Sequence, residues 1–210
     1  MSDAAFWNRI ARKYANSPVG DMEAYEATLD RVRSYLHPDS EALEIGCGTG
    51  TTALKLAPFT HRIEASDVSA AMVDIAREKA TVQRVRNVGF TVAPAEAPPE
   101  GRFDVVMSFN LLHLLRDLDS TLAQVAARVK PDGLFISKTI CLAGPGLPWG
   151  MRALLLGLPL MQMIGKAPYV AKLSVTGLES AITRAGFEII ETGDYPDRPS
   201  RRFIVARKAP

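Results

Sequence analysis

The chain has 210 residues, 47% of them hydrophobic, enough for one domain with a sizeable core. Its 25 lysines and arginines against 23 aspartates and glutamates leave a formal net charge of +2. That is too small for an electrostatic nucleic-acid binder, and solvated faces account most simply for the basic residues near Arg84 and Arg86 and at Arg201 and Arg202. Two cysteines, Cys47 and Cys141, give neither a disulfide framework nor a metal-ligand spacing, and the N-terminus lacks the basic-then-apolar order of a secretory signal. A reducing cytoplasm is the expected location.

In chain order, Phe6, Trp7, Ile10, Ala11 and Tyr14, then Tyr25, Leu29, Val32, Tyr35 and Leu36, recur at helical spacing and predict two amphipathic helices ahead of a sheet. From residue 42 onward strand and helix patterns alternate: strands 42–45, 62–66, 88–92, 103–108 and 133–138, with helices at about 50–57, 69–80 and 119–128. Lys130, Pro131, Asp132 and Gly133 read as a turn that launches the fifth strand. After an apolar insertion at 142–172, a helix near 176–185 ends at Gly186, and strands 187–192 and 202–207 close the chain as a hairpin. The alternation implies an α/β, Rossmann-like, doubly wound and mostly parallel seven-stranded sheet with an antiparallel last strand and helices on both faces.

The run from Ala42 to Thr52 carries an acid, Glu44, at the end of an apolar strand, then Gly46, Gly48 and Gly50 at alternate positions. Glycines let a chain leave a strand sharply and approach a ligand without a Cβ in the way. Asp67 follows at the end of the next strand, where an acid can bind a ribose. A dinucleotide fingerprint needs a small residue where Thr51 stands. The pattern Glu44-x-Gly46-x-Gly48-x-Gly50 instead resembles the first motif of the class I S-adenosylmethionine-dependent methyltransferases, and the order of motifs is matched along nearly the whole chain outside the insertion.

The resemblance implies one methyltransferase domain: an N-terminal helical lid at 1–40, a cofactor-binding core at 42–141, an insertion or substrate cap at 142–172, and a C-terminal helix with closing strands at 173–210. It implies S-adenosyl-L-methionine as cofactor and S-adenosyl-L-homocysteine as product. Glu44, Gly46, Cys47 and Gly48 would form the cofactor turn, Asp67 would hold both ribose hydroxyls, and Val68 and Met72 would flank the adenine. Where relatives carry Gly-Asp-Ala-Glu, this chain has Ala93, Pro94, Ala95 and Glu96, so Pro94 replaces an acid that accepts from the adenine amino group. Adenine recognition then leans on the Ala95 backbone and Glu96. Asn110 and His113 lie in the segment that runs beneath the methionine part, and Tyr14 matches a lid tyrosine.

Methyl transfer is an in-line displacement in which positioning does much of the catalysis. His113 is the candidate base for a hydroxyl acceptor, against a packed histidine among leucines; Tyr14 is the lid candidate, against ordinary packing. Trp7 and Tyr25 are expected to bury apolar area, Cys47 to be a small turn residue, and Arg12 and Lys13 to be solvated. The three histidines, His37, His61 and His113, are too far apart for a local cluster, and no metal is expected.

The stretch 147–164 is the most apolar, yet Arg152, Gly157 and Pro159 argue against a membrane span. Three readings stay open for it: a buried helical hairpin, a cap over an apolar acceptor, or a surface that touches a membrane or a second subunit. The expected partner is therefore a small, apolar acceptor such as a quinone precursor, a lipid or an aromatic metabolite, with no nucleic acid. Peripheral membrane contact, and monomer against homodimer, stay open. The rivals are a nicotinamide-dependent oxidoreductase and a non-catalytic cofactor-binding protein.

Overall fold

The computed structural model describes residues 3–143, 147, 149–195 and 200–209, with the side chains of 152–154 outside that description, as is Pro148. In chain order the elements are α1 (Asp3–Ala15), α2 (Met22–Arg33), β1 (Glu41–Ile45), α3 (Thr51–Leu56), β2 (Arg62–Asp67), α4 (Ala70–Gln83), β3 (Val88–Val92) and β4 (Phe103–Phe109). Then come α5 (Leu118–Arg128), β5 (Val129–Ile140), α6 (Trp149–Met163), α7 (Val175–Arg184), β6 (Phe187–Asp194) and β7 (Arg201–Lys208). The strands form one sheet in the order β3-β2-β1-β4-β5-β7-β6, and β7 alone runs against its neighbours.

The central strands are apolar on both faces because both faces are covered. Ala42, Val105, Met107 and Ile136 pack toward α2 and α4, while Leu43, Ile45, Val106 and Phe135 pack toward α5 and α7. Helices begin where a side-chain oxygen takes an otherwise unpaired amide: Asp21 accepts from Ala24 at α2, Ser69 from Met72 at α4, and Asp117 from Ser120 at α5. The strand order reverses between β1 and β4, so the carboxyl ends of these strands open a crevice there.

One expected boundary needs correction, and one of the three readings of the insertion is set aside. The fifth strand starts earlier than expected, at Val129, because Val129 pairs with Phe103 while Leu134 pairs with Val105. The turn at 130–133 is therefore an outward excursion within β5: Asp132 adopts φ +59°, and a Cβ on Gly133 would sit 2.9 Å from the Asp104 carbonyl oxygen. The insertion, among the described residues, is one helix and not a buried hairpin. Trp149, Leu156, Leu160 and Met163 are 84%, 83%, 61% and 77% exposed, on one face of α6. The chain after α6 does not fold back as a second helix, since Gly165 takes φ +68° and the return segment is tied down elsewhere. Arg9 donates to the Gly165 carbonyl, Gln162 to the Pro168 carbonyl at 2.8 Å, and the Ala171 amide to the His113 carbonyl at 2.7 Å. Among the described residues no helix is long and apolar enough to cross a membrane.

Candidate active site

The site starts where β1 ends. Gly46, Gly48 and Gly50 have φ of +70°, +53° and +73°, a region closed to most side chains. A Cβ on Gly46 would lie 2.8 Å from Leu111, and one on Gly50 would lie 2.7 Å from both Ala76 and Phe90. The turn is locked to β2: the Cys47 amide donates to the Ser66 carbonyl at 2.9 Å, and the Gly48 amide donates to Asp67 Oδ2 at 2.9 Å. Asp67 Oδ1 accepts from the Ser69 amide at 2.9 Å, which fixes the carboxylate's direction and leaves lone pairs free. Burial raises the Asp67 pKa, and the two amides oppose that rise.

Two cavities meet across this turn. The first is walled by Asp67, Val68, Met72, Ala95 and Glu96, with Trp7 and Tyr14 arching over from α1. Pro94 stands in the same wall, and the Ala97 amide donates to its carbonyl at 3.1 Å. The second runs from Glu44 and Cys47 past Tyr25 to Lys138 and Arg201. Tyr14, Gly46, Gly48, Phe109 and Asn110 line both. Asn110 adopts φ +56°, held by its amide donating to the Lys138 carbonyl at 2.7 Å. Half of Tyr14 is exposed, yet its phenol end is turned inward, and burial with the nearby Asp67 raises its pKa.

Glu44 is a buried acid under electrostatic tension. It is 2% exposed, accepts a hydrogen bond from the Ala53 amide, and has Oε2 buried with no partner. Burial pushes its pKa up to about 8. Cys47 is also raised, by burial, Glu44 and Asp67, so it is a thiol and not a nucleophile.

Every expected site residue except His113 lines one of the two cavities. His113 sits in a short 3-10 turn, Leu112–Leu114, with Nδ1 buried and unpartnered, and burial lowers its pKa to about 4. It lines neither cavity, so its assignment as a base in contact with acceptor is withdrawn. Trp7 and Tyr25 wall the cavities instead of only filling the core. Arg12 and Lys13 are exposed on α1, as expected. The sequence reading missed Lys138 and Arg201 as site residues. Lys138, 5% exposed, stands at the end of the buried β5, and Arg201 is half-buried and not on a solvated face. A lysine inside the strand pattern 133–138, just past Leu134, Phe135 and Ile136, was the available signal for the first; Arg201 has none, since its place depends on how β7 pairs with β5. Among the described residues no cluster of His, Cys, Asp and Glu is arranged to hold a metal.

A glycine cradle, a carboxylate at the end of the second strand and an orphaned buried acid are suited by their chemistry to the methionyl backbone, the ribose hydroxyls and the methionyl ammonium of S-adenosylmethionine. This fold and site define the class I S-adenosylmethionine-dependent methyltransferases. A family profile described as "Methyltransferase domain" matches residues 16–192, and the chain belongs to that family.

Over 100 residues the chain is 31% identical to the uncharacterized methyltransferase YcgJ of Bacillus subtilis, a match covering 47% of this chain and 40% of that one. The match to a highly reducing polyketide synthase of Aspergillus nomiae spans 6% of that protein. The malonyl-acyl-carrier-protein O-methyltransferase of Geobacter sulfurreducens is 29% identical over 223 residues, covering 95% of this chain and 80% of that one. The crystal structure of YcgJ superposes with a TM-score of 0.71 at 17% identity, covering 88% of this chain and 99% of that one. Magnesium protoporphyrin IX methyltransferase from Synechocystis PCC 6803, with bound S-adenosylhomocysteine, gives 0.70 at 20% identity, covering 98% and 93%.

Proposed function

We propose that this chain transfers the methyl group of S-adenosylmethionine to a small acceptor held in the second cavity. The observation that carries this is the junction of the two cavities at Tyr14, Gly46, Gly48, Phe109 and Asn110. A donor lying over the glycine turn, with its ribose on Asp67, presents its methyl group at that junction. S-adenosylmethionine supplies an electrophilic methyl on a sulfonium.

The chain's own part is placement. Asp67 accepts from the two ribose hydroxyls, Val68 and Met72 bracket the adenine, and the Ala95 backbone with Glu96 borders its edge. Gly46 and Gly48 let the backbone approach the methionyl chain, and Glu44 Oε2 receives the ammonium and becomes ionised by it. Tyr14 closes over Gly48, where a Cβ would meet the ring at 3.9 Å, and so keeps water from the junction. The helices at 1–40 thus act as the lid, 42–141 as the core, and the return segment after α6 as the rim near Arg116 and Tyr169. Phe109 at the junction, with Leu111, Leu114 and Trp7 beside it in the first cavity, supports an acceptor with an apolar body, such as a quinone precursor, a lipid or an aromatic metabolite.

Calorimetric titration of the ligand-free chain with S-adenosylmethionine, S-adenosylhomocysteine and reduced nicotinamide dinucleotide tests the reading. Micromolar binding of the first two alone is expected; binding of the nicotinamide alone, or of none, overturns it.

A further inference from the structure

The far wall of the second cavity holds a charge arrangement that donor binding does not use. In the β5–β7 register, Lys138 pairs with Phe203 and Ile140 with Arg201. Lys138 and Arg201 therefore share one face of the sheet, the face toward α2, and both reach the cavity. Arg202, one residue on, points to the opposite face and is fully compensated, by Glu179 at 2.7 Å and Asp194 at 2.8 Å. Arg201 has no ion-pair partner among the described residues, and its Nε is buried without a hydrogen-bond acceptor. Lys138 Nζ donates to Thr28 Oγ1 at 2.6 Å and to the Ala24 carbonyl at 3.2 Å, both neutral, which leaves its third donor free. Two acids share the wall: Asp21, which caps α2, acts on Lys138 electrostatically, and Glu44 is proposed to take the donor's ammonium, but neither makes an ion pair with Lys138 or Arg201. Two neighbouring cations that face a cavity with no carboxylate in ion-pair contact are costly unless an anion joins them.

We propose that Lys138 and Arg201 bind the carboxylate of an acidic acceptor, so that the atom methylated is a carboxylate oxygen and the product is a methyl ester. This rests on the methyltransferase reading and narrows it to acids with an apolar body. The position is right for transfer, because the Lys138 carbonyl is bonded directly to the Asn110 amide at the junction. The chemistry also suits the side chains present. Tyr14 and Cys47 hold their protons, His113 lies off the cavity, and Lys138, though burial lowers its pKa to about 8, is engaged with the acceptor as a cation, so an acceptor that arrives ionised needs no proton removed. One carboxylate oxygen stays on the cations while the other attacks. Its lone pair forms the new bond to the methyl carbon, the sulfur–methyl bond breaks, and its electron pair stays on sulfur, which loses its positive charge. No proton is transferred. The ester is neutral and loses its hold on Lys138 and Arg201, which favours release.

The other carboxylate within reach is the donor's own, on its methionyl end, and the test separates the two. The full chain and Arg201→Gln are titrated calorimetrically with S-adenosylhomocysteine and with 5′-methylthioadenosine, which lacks the amino-acid part. Each protein saturated with S-adenosylhomocysteine is then titrated with octanoate and with octanol. Arg201→Lys serves as the charge-conserving variant, and thermal melts verify folding.

The expected result is octanoate binding to the wild-type complex that weakens about tenfold or more in Arg201→Gln and is partly restored in Arg201→Lys. Octanol and S-adenosylhomocysteine affinities should be unchanged. Octanoate that binds both proteins alike, or fails to bind the wild-type complex, overturns the proposal and leaves the methyltransferase reading intact. A loss of S-adenosylhomocysteine affinity in Arg201→Gln with 5′-methylthioadenosine unaffected also overturns it, by assigning the pair to the donor. If the wild type binds no S-adenosylhomocysteine, the methyltransferase reading fails and the proposal with it.

Discussion

Strand β1 and the turn behind it bury every apolar side chain they carry, whereas α6, with at least as apolar a sequence, leaves Trp149, Leu156, Leu160 and Met163 in water. The difference lies in partners, not composition. β1 has β2 on one edge, β4 on the other and a helical layer on each face, so Leu43 and Ile45 have nowhere to go but inward. α6 is tethered through the segment that follows it, by bonds at Gly165 and Ala171 to α1 and the His113 turn, and its apolar stripe stays mostly exposed. Apolar content states how much surface seeks cover; topology decides whether cover exists.

The largest effect that would break this contrast lies in β1. Leu43 is fully buried between α5 and α7, and Leu43→Ala removes its side chain from a packed layer. The expected loss is about 2–5 kcal/mol of unfolding free energy, read from the denaturant midpoint at unchanged slope. A loss under about 1 kcal/mol would mean that the central sheet is looser than its burial implies.

Next in size is Asp67, the proposed ribose ligand. Asp67→Ala deletes a carboxylate held by two amides and is expected to weaken S-adenosylhomocysteine binding by roughly 1–3 kcal/mol, with calorimetry as the measurement. Intact affinity would remove Asp67 from the site.

Glu44 sharpens the comparison through protons. Its folded pKa of about 8 lies above the ordinary 4.5, so the ligand-free folded state binds the extra proton between those values. The stability this gives is present below pH 4.5 and is lost as pH rises through 8. In Glu44→Gln that part of the pH slope should vanish. If the donor's ammonium ionises Glu44, binding of S-adenosylhomocysteine at about pH 6.5 should release close to one proton, seen as a heat that varies with buffer ionisation enthalpy. The same release from Glu44→Gln would show that Glu44 is not its source.

These residues were legible because local chemistry demands their types. A chain that must turn with φ near +70° beside Leu111 and Phe90 needs glycine, and a short acid at the end of a strand is placed to take the Gly48 and Ser69 amides. The sheet was equally legible, since buried parallel strands read as apolar runs. What failed to show is set by contacts distant in sequence. Arg201 and Arg202 look alike as a dipeptide, and only the pairing of β7 with β5 sends one to the cavity and the other to Glu179 and Asp194. His113 follows Asn110 by three residues, but it sits inside the 3-10 turn Leu112–Leu114 and lines neither cavity, and the Ala171 amide pins its carbonyl. The early start of β5 required the partner Phe103, which no window around 130–133 contains.

The smallest expected effect belongs to α6, and it is informative because it is small. Leu156 and Leu160 lie 83% and 61% exposed on the stripe, and glutamine is nearly as good a helix former as leucine. Leu156→Gln and Leu160→Gln should each change unfolding free energy by no more than about 0.5 kcal/mol, a tenth to a quarter of the loss expected at Leu43. Equilibrium unfolding at two protein concentrations measures this. A larger loss that grows with protein concentration would mean that a second copy covers the stripe in solution, since dimer stability depends on concentration and monomer stability does not. A larger loss at every concentration would mean that α6 packs against its own chain more closely than its exposure shows. A null result at both concentrations keeps the contrast as drawn: the same kind of side chain contributes several kcal/mol in β1 and almost nothing in α6, because only β1 has neighbours on every side.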